Sequence, residues 1–236
     1  MRPLEDIINA LDADALQGLT DHLLGIVNGS RVERIDAILD QRTRHLTVAL
    51  ENIYQPHNAS AVVRSCECFG IQDLHVIESQ NRFQPNKSIV QGAAKWVTLR
   101  RFRGAGATAD CLQGLKRAGY RIAAMSPAPG SVPIAELPVE RPLVLCIGAE
   151  EPGLSREALS LADVEARIPM QGFTRSLNLS VSAGIALEQL GARLRGSRDD
   201  WGLPAGERRR LRALWLARST AGGRGIVARY LSGETH

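Results

Sequence analysis

No stretch of this chain approaches the ~20 consecutive apolar residues of a membrane-spanning helix. Its first residues, MRPLEDIINALDADAL, are acidic and lack the basic and apolar regions of a secretory leader, so the expected location is cytoplasmic. Cysteine is scarce: Cys66, Cys68, Cys111 and Cys146 form no C-x-x-C pair, and the first two are too close along a helix to bridge readily. The expectation is buried, reduced thiols, no disulfide and no metal. No G-x-G-x-x-G follows the first strand-like run, which argues against a dinucleotide-binding Rossmann domain.

What is present suffices for one sizeable α/β domain with terminal additions, in a chain of 236 residues. From Leu46 onward strand-like and helix-like segments alternate, the pattern of a parallel sheet covered by helices. Strands are expected at 46–52, 73–78, 96–101, 120–125, 142–148 and 165–170, and helices near 58–69, 107–118, 155–162 and 178–194, with a shorter helical piece at 87–93. Residues 126–138, SPAPGSVPIAELP, form a Pro-rich loop of the kind that borders ligand sites on the C-terminal side of a parallel sheet. Apolar stripes at Leu4, Ile7, Ile8 and Leu11, and at Leu19, Leu23, Leu24 and Val27, predict one or two short helices before the break at Asn28-Gly29. Residues 31–44 predict an amphipathic helix with Val32, Ile35 and Leu39 inward and Arg31, Arg34, Arg42 and Arg44 toward solvent or phosphate. Beyond Gly196 the run SRDDWGLPAG reads as a linker, 207–219 as a helix and 226–231 as a final turn. The expected division is a helical extension over 1–29, a main domain over 30–196 and a basic helical extension over 197–236.

Charge is unevenly spread. From Gly191 onward there are ten arginines against four acids, a surplus of six, in a chain whose formal net charge is +4; the rest therefore carries a net −2. A cationic tail on a near-neutral body suits a polyanionic partner, with a solvated helix face as the alternative.

Three segments each pass from a strand into a helix through a polar turn. In Asn52–Gly70, NIYQPHNASAVVRSCECFG, Pro56, His57 and Asn58 end a strand and cap a helix carrying Arg64. A spacing of six does not share a helical stripe, so Asn58 and Arg64 meet only if Asn58 is the cap and Arg64 reaches back over the helix start. In Leu143–Ser155, LVLCIGAEEPGLS, a buried strand opens into Gly148-Ala149-Glu150 and a second glycine, Gly153. In Arg167–Gln189, RIPMQGFTRSLNLSVSAGIALEQ, Ser176 and Asn178 stand where an N-cap is expected, beside backbone N–H groups able to hold an anion or polar ligand. Ser180, Ser182, Ala183 and Gly184 give that helix a low profile, so another segment or subunit can approach closely.

In order, these segments resemble the N-x-x-x-x-x-R, G-x-E-x-x-G and S-L-N-x-S-x-x-x-G motifs of the SpoU/TrmH family of SPOUT RNA 2′-O-methyltransferases, over about Arg31 to Arg195. The resemblance implies an α/β SPOUT fold: a mostly parallel sheet with helices on both faces, a C-terminal deep trefoil knot and helical extensions at both ends. It implies a homodimer in which the cofactor pocket of one subunit meets the arginine helix of the other. The implied activity is methylation of a tRNA ribose 2′-hydroxyl by S-adenosylmethionine, at guanosine 18 of the D-loop. Another tRNA position, rRNA, or non-catalytic RNA binding are the alternatives.

Carried over residue by residue, the resemblance makes Arg64, Asn58, Glu150, Ser176 and Asn178 catalytic, and Ser126, Gly148, Met170 and Leu179 cofactor-binding, mostly through main chain. Arg34 falls where family relatives bind tRNA, and with Arg193, Arg195 and the Arg208–Arg212 cluster it is expected to hold RNA backbone. Asn58 is expected to orient Arg64 or cap its helix, and Glu150 to pair with a catalytic residue or hold its turn. His57 is a rival base or a supporting neighbour. A guanidinium is a poor base, so Arg64 acts either strongly perturbed or by positioning a phosphate.

Overall fold

The computed structural model describes residues 2–84, 86, 90 and 92–233, which divide into two compact units. One is Thr43–Trp201; the other joins Met1–Arg42 to Gly202–His236.

The larger unit holds seven strands among its described residues: β1 (Leu46–Glu51), β2 (Asp73–Glu78), β3 (Thr98–Arg103), β4 (Arg121–Met125), β5 (Val132–Pro133), β6 (Leu143–Ile147) and β7 (Val164–Arg167). They form one sheet in the order β3-β2-β1-β6-β4-β7-β5. Every pairing is parallel, with Val48 opposite Leu74 and Leu46 opposite Leu143. The covering helices are α4 (Pro56–Cys68), α5 (Ala107–Arg117), α6 (Arg156–Leu161) and α7 (Leu179–Ser197).

The central strands are apolar on both faces, which is why helices cover both. Val48, Leu50, Leu74, Val76, Leu145 and Ile147 pack with Val62 and Val63 of α4 and Ala183, Leu187 and Leu190 of α7. Their alternates Ala49, Ile77, Val144 and Cys146 pack with Ala107, Cys111, Leu112 and Leu115 of α5 and Ala158 of α6. Each fully buried large aliphatic contributes about 1.5–3 kcal/mol, so truncating Leu145 to alanine is expected to cost about 2–5 kcal/mol. At the end of β1 the buried Glu51 accepts hydrogen bonds from Thr108 Oγ1 on α5 (2.7 Å) and from the Ser155 backbone N–H and Oγ (both 2.8 Å), while Ser155 caps α6.

The smaller unit comprises α1 (Leu4–Asn9), α2 (Ala13–Leu24), α3 (Gly29–Leu39), α8 (Ala205–Ser219) and α9 (Gly223–Ser232). Helix α8 packs against the other four, with Leu211, Leu214 and Trp215 buried. The expected division at 29/30 and 196/197 is therefore corrected. Residues 30–42 and both chain ends form one helical unit, because the apolar stripe of α8 needs those of α1, α2 and α3 to cover it.

Arg42 was expected to face solvent or phosphate. It is instead 1% exposed, its guanidinium 5.0 Å from the Trp215 ring centre. Arg44, grouped with it, lies beyond α3 and pairs with Asp73 at 3.1 Å. Helix α3 stops at Leu39, five residues short of the expected end.

Other elements fall close to their expected ranges. Strand β3 begins at Thr98 because Gly92, at φ 84°, turns the chain into a 3-10 turn over Ala93–Lys95 first. The expected final turn is a ten-residue helix, α9, and β5 lies inside the Pro-rich loop. The helical piece expected at 87–93 falls largely outside the described residues. All four cysteines are free; Cys66, Cys111 and Cys146 are buried, but Cys68 is exposed, since a step of two along a helix turns the side chain to the opposite face. No described helix is long and apolar enough to cross a membrane.

Candidate active site

The C-terminal ends of β4, β6 and β7 open into loops that enclose a cavity of about 420 Å³. Ser126 and Pro127 follow β4, Gly148 to Gly153 follow β6, and Ile168, Met170, Arg175 and Ser176 follow β7, with Leu179 and Ser182 of α7 closing the wall. All four residues expected to bind cofactor, Ser126, Gly148, Met170 and Leu179, line this one cavity. Gly148 is required there: a Cβ on it would collide with the backbone of Gly153 and Leu154.

The three motifs meet at Asn58, a side chain only 1% exposed. Its Nδ2 donates to Glu150 Oε1 in the turn after β6 and to Gln55 Oε1 (3.2 Å). Its Oδ1 accepts from Asn178 Nδ2 (3.1 Å). Asn178 in turn caps α7, its Oδ1 accepting from the Ser180 N–H (2.9 Å) and Oγ (2.6 Å). One amide thus ties the start of α4, the Gly-Ala-Glu turn and the start of α7, and Glu150 carries that tie to the cavity wall.

Several expectations change in detail. Asn58 is not the cap of α4: Pro56 occupies the first turn, Gln55 is the N-cap residue, and Asn58 sits inside the helix. Of the two N-cap candidates before α7 it is Asn178 that caps, while Ser176 is exposed and lines the cavity. No hydrogen bond joins Asn58 to Arg64. Arg64 and His57 are both exposed on α4, and neither lines the cavity of its own chain. Arg175 and Glu151 also line it, although nothing in the sequence singles them out; both lie inside the motif segments, in loops where no periodicity marks a position.

The arginines expected to bind RNA differ in availability. Arg34 is exposed on α3. Arg193 is half-buried and reaches the Ile134 carbonyl at 3.4 Å. Arg195 donates to the carbonyls of Gly191 (3.2 Å) and Phe69 (2.9 Å) and lies 4.9 Å from the Trp201 ring centre; burial lowers its pKa. Three of the Arg208–Arg212 cluster are held within their own unit. Arg208 bonds Asp40 (2.9 Å), Arg212 clamps Asp36 with two contacts (2.6 and 2.8 Å), and Arg210 closes the end of α1 by donating to the carbonyls of Ile8, Asn9 and Leu11.

Elsewhere burial governs protonation. The Cys111 thiol is pushed up to about 12 by burial and by Glu51, and burial, Glu51 and Cys111 hold Cys146 well above its ordinary value. His75 on β2 is lowered to about 4, again chiefly by burial. None of these groups lines the cavity. Among the described residues no group of His, Cys, Asp or Glu is placed to hold a metal ion.

Residues 45–188 match the model of the SpoU rRNA Methylase family. The chain is 37% identical over 202 residues to the tRNA (guanosine(18)-2′-O)-methyltransferase of Borreliella burgdorferi, covering 86% of this chain and 91% of that protein. It is 34% identical over 158 residues to the Thermus thermophilus enzyme of the same name, covering 67% and 80%. The crystal structure of the Aquifex aeolicus TrmH/SpoU tRNA modifying enzyme superposes with a TM-score of 0.72 at 30% identity, covering 81% of this chain and 98% of that one. With the matched region spanning all three motifs and the whole cavity, this chain belongs to the SpoU methylase family.

Proposed function

We propose that this protein is a cytoplasmic, S-adenosylmethionine-dependent tRNA 2′-O-methyltransferase acting on guanosine 18. The observation that carries the reading is the junction at Asn58, which ties all three motifs together beside a cavity lined by every residue expected to bind cofactor. The names of the similar enzymes supply the target nucleotide.

The cavity suits the cofactor. Ile147, Ile168, Leu177 and Leu179 offer apolar walls, and Gly148 brings main chain close without a side chain in the way. Bound there, S-adenosylmethionine supplies an activated methyl group. This chain's residues must align a ribose oxygen with it and remove the hydroxyl proton. Alignment alone is worth up to about 7–11 kcal/mol in favourable intramolecular models. The Asn58–Glu150–Asn178 network holds the cavity wall, and Ser176 and Asn178 stand at the entrance to α7 to engage ribose or cofactor. A guanidinium is a poor base, so the role of Arg64 is to donate to and position a substrate phosphate, which itself takes the hydroxyl proton.

Arg64 does not reach the cavity of its own chain, which supports a homodimer in which α4 of one copy serves the cavity of the other. Tyr54 and Val181, 74% and 48% exposed beside the starts of α4 and α7, are apolar surface such an interface would cover. The fold is read as knotted, with the segment after β7 threaded before α7; the likeness to the TrmH/SpoU structure supports this. Arg34 and Arg193 make phosphate contacts, and Arg195, already bonded to the carbonyls of Gly191 and Phe69, chiefly braces α7 against the end of α4.

Mass-spectrometric mapping of 2′-O-methylation in tRNA and rRNA, from cells with and without this protein, tests the reading. Loss confined to guanosine 18 supports it. Loss at an rRNA or another tRNA position moves the substrate, and no loss with no calorimetric binding of S-adenosylmethionine removes the enzyme.

A further inference from the structure

Three arginines outside every motif lie on the side of the sheet where the cavity opens. All pairings are parallel, so the C-terminal ends of β2 and β3 share an edge with those of β4, β6 and β7. Strand β3 ends in Arg101, Phe102 and Arg103. Leu99 packs into the core on the α4 side, and residues alternate along a strand, so Arg101 and Arg103 project toward the α4 face while Phe102 turns to the other.

Their guanidiniums are held in place. Glu78, at the end of β2, has a side chain only 4% exposed; it accepts from Arg103 Nε at 2.9 Å and lies 3.7 Å from Arg101 Nη1. Arg101 also donates to the Phe83 carbonyl (3.3 Å) and sits 5.4 Å from that ring's centre. Both arginines remain open to solvent, at 34% and 66%. Glu78 is itself fixed by the Phe83 N–H (2.8 Å).

Arg82 joins them. It is exposed, on a loop pinned at both ends to the catalytic segment. Asn52 Oδ1 accepts from the Gln80 N–H (2.8 Å), Asn81 Nδ2 donates to the Asn52 carbonyl (3.0 Å), and the Asn86 N–H donates to Ser60 Oγ on α4 (2.6 Å). Arg82 is thereby carried alongside the start of the helix that bears Arg64.

We propose that Arg82, Arg101 and Arg103 form a platform for the phosphate backbone of the substrate RNA, continuing from Arg64 toward the β3 edge. A buried carboxylate needs one counter-charge; here two guanidiniums, those of Arg101 and Arg103, face a single Glu78, leaving surplus positive charge already oriented, to which the exposed Arg82 adds. Arginine presents a planar fork of donors matched to phosphate oxygens. Tethering by Glu78 and Phe83 lowers the ordering cost on binding. The proposal rests on the RNA-methyltransferase reading but not on which nucleotide is modified, because backbone contacts carry no sequence information.

The test compares wild type with Arg82→Gln/Arg103→Gln, which leaves Arg101 on Glu78. Both are measured for tRNA affinity across a salt series, for steady-state methylation of whichever RNA the wild type methylates, and for calorimetric binding of S-adenosylmethionine. The expected result is a log–log salt slope flatter by about 1.4–1.8 units. The apparent KM for RNA should rise about tenfold or more, with saturated rate and cofactor affinity unchanged, as loss of uniform binding predicts. Among the described residues Arg82 makes no hydrogen bond or ion pair, so Arg82→Gln alone, expected to flatten the slope by about 0.7–0.9, decides if the double variant loses its fold by circular dichroism. Arg103→Lys should stay near wild type in slope. An unchanged slope and KM in a folded variant overturns the platform, as does a fall in saturated rate with KM unchanged. A wild type that binds and methylates no RNA overturns the methyltransferase reading instead.

Discussion

The two units of this protein spend their arginines differently. In the terminal helical unit Arg208, Arg210 and Arg212 are each consumed by partners within the unit, and Arg218 lies 3.6 Å from Glu5. In the α/β unit Arg64 stands exposed on α4 beside a tightly bonded Asn58. Seven of the ten arginines counted from Gly191 onward lie in the terminal unit, yet most of that charge serves the unit's own packing. Charge counted along a chain measures the potential to bind an anion; geometry decides what is left to do so.

The largest effect that sharpens this contrast is at Arg64. Arg64→Ala should lower the transfer rate by at least about 10²-fold through lost alignment. Cofactor affinity by calorimetry should stay within a few-fold, because Arg64 is not part of the cavity wall. Arg64→Lys should recover little, since an ammonium lacks the planar fork. Near-normal turnover in either variant would move the chemistry to Glu150 or His57.

Acid should separate the two units next. His75 is buried with its pKa lowered from 6.5 to about 4, so the folded α/β unit binds fewer protons than the unfolded chain between those values. Its stability contribution is complete above about 6.5 and is lost as pH falls toward about 4, by up to ~3 kcal/mol. Asp36 in the terminal unit lies below its ordinary 3.8, held there first by the Arg212 hydrogen bond, so its contribution is present above 3.8 and fades only below it. Denaturant melts from pH 7 to 3 should show loss from pH 6.5 in wild type. That early loss should shrink in His75→Phe and persist in Asp36→Asn.

Smaller effects distinguish free from occupied arginines. Arg34→Ala and Arg193→Ala should each flatten the salt dependence of tRNA binding by up to about 0.9 units. Arg208→Ala and Arg212→Ala should leave the slope alone and instead lower stability, by about 1 kcal/mol or less for these partly exposed pairs. The reverse pattern would mean that the internal pairs open for RNA. Smallest of all, alkylation of the native protein should modify Cys68 and spare Cys66, Cys111 and Cys146, since all three are buried.

The parallel sheet was legible because strand and helix periods alternate cleanly from Leu46 and the strands are apolar on both faces. The cavity was legible because its walls are loops that leave strands at Met125, Ile147 and Arg167, each marked by a change from apolar run to turn residues. What stayed hidden depends on contacts between distant residues. Nothing local showed that Asn58 bonds across 92 positions to Glu150 and 120 to Asn178 instead of capping its helix. Arg42 reads as a solvent residue until Trp215 is seen beneath it, 173 positions away. The split of the chain at Arg42 was hidden for the same reason, since α8 completes the core begun by α1 to α3 only after the whole α/β unit intervenes.

The central claim, that Arg64 of one copy serves the cavity of another, is tested most directly by subunit mixing. Arg64→Ala lacks the positioning group, and Ser176→Trp fills the cavity of its own chain. Each variant alone should be inactive. In a two-fold dimer a mixed pair regains one intact site, so an equimolar mixture refolded or exchanged together should recover about a quarter of the wild-type rate. A mixture as inactive as its parents, with mixed dimers shown to form, would contradict the account and place Arg64 at the cavity of its own chain.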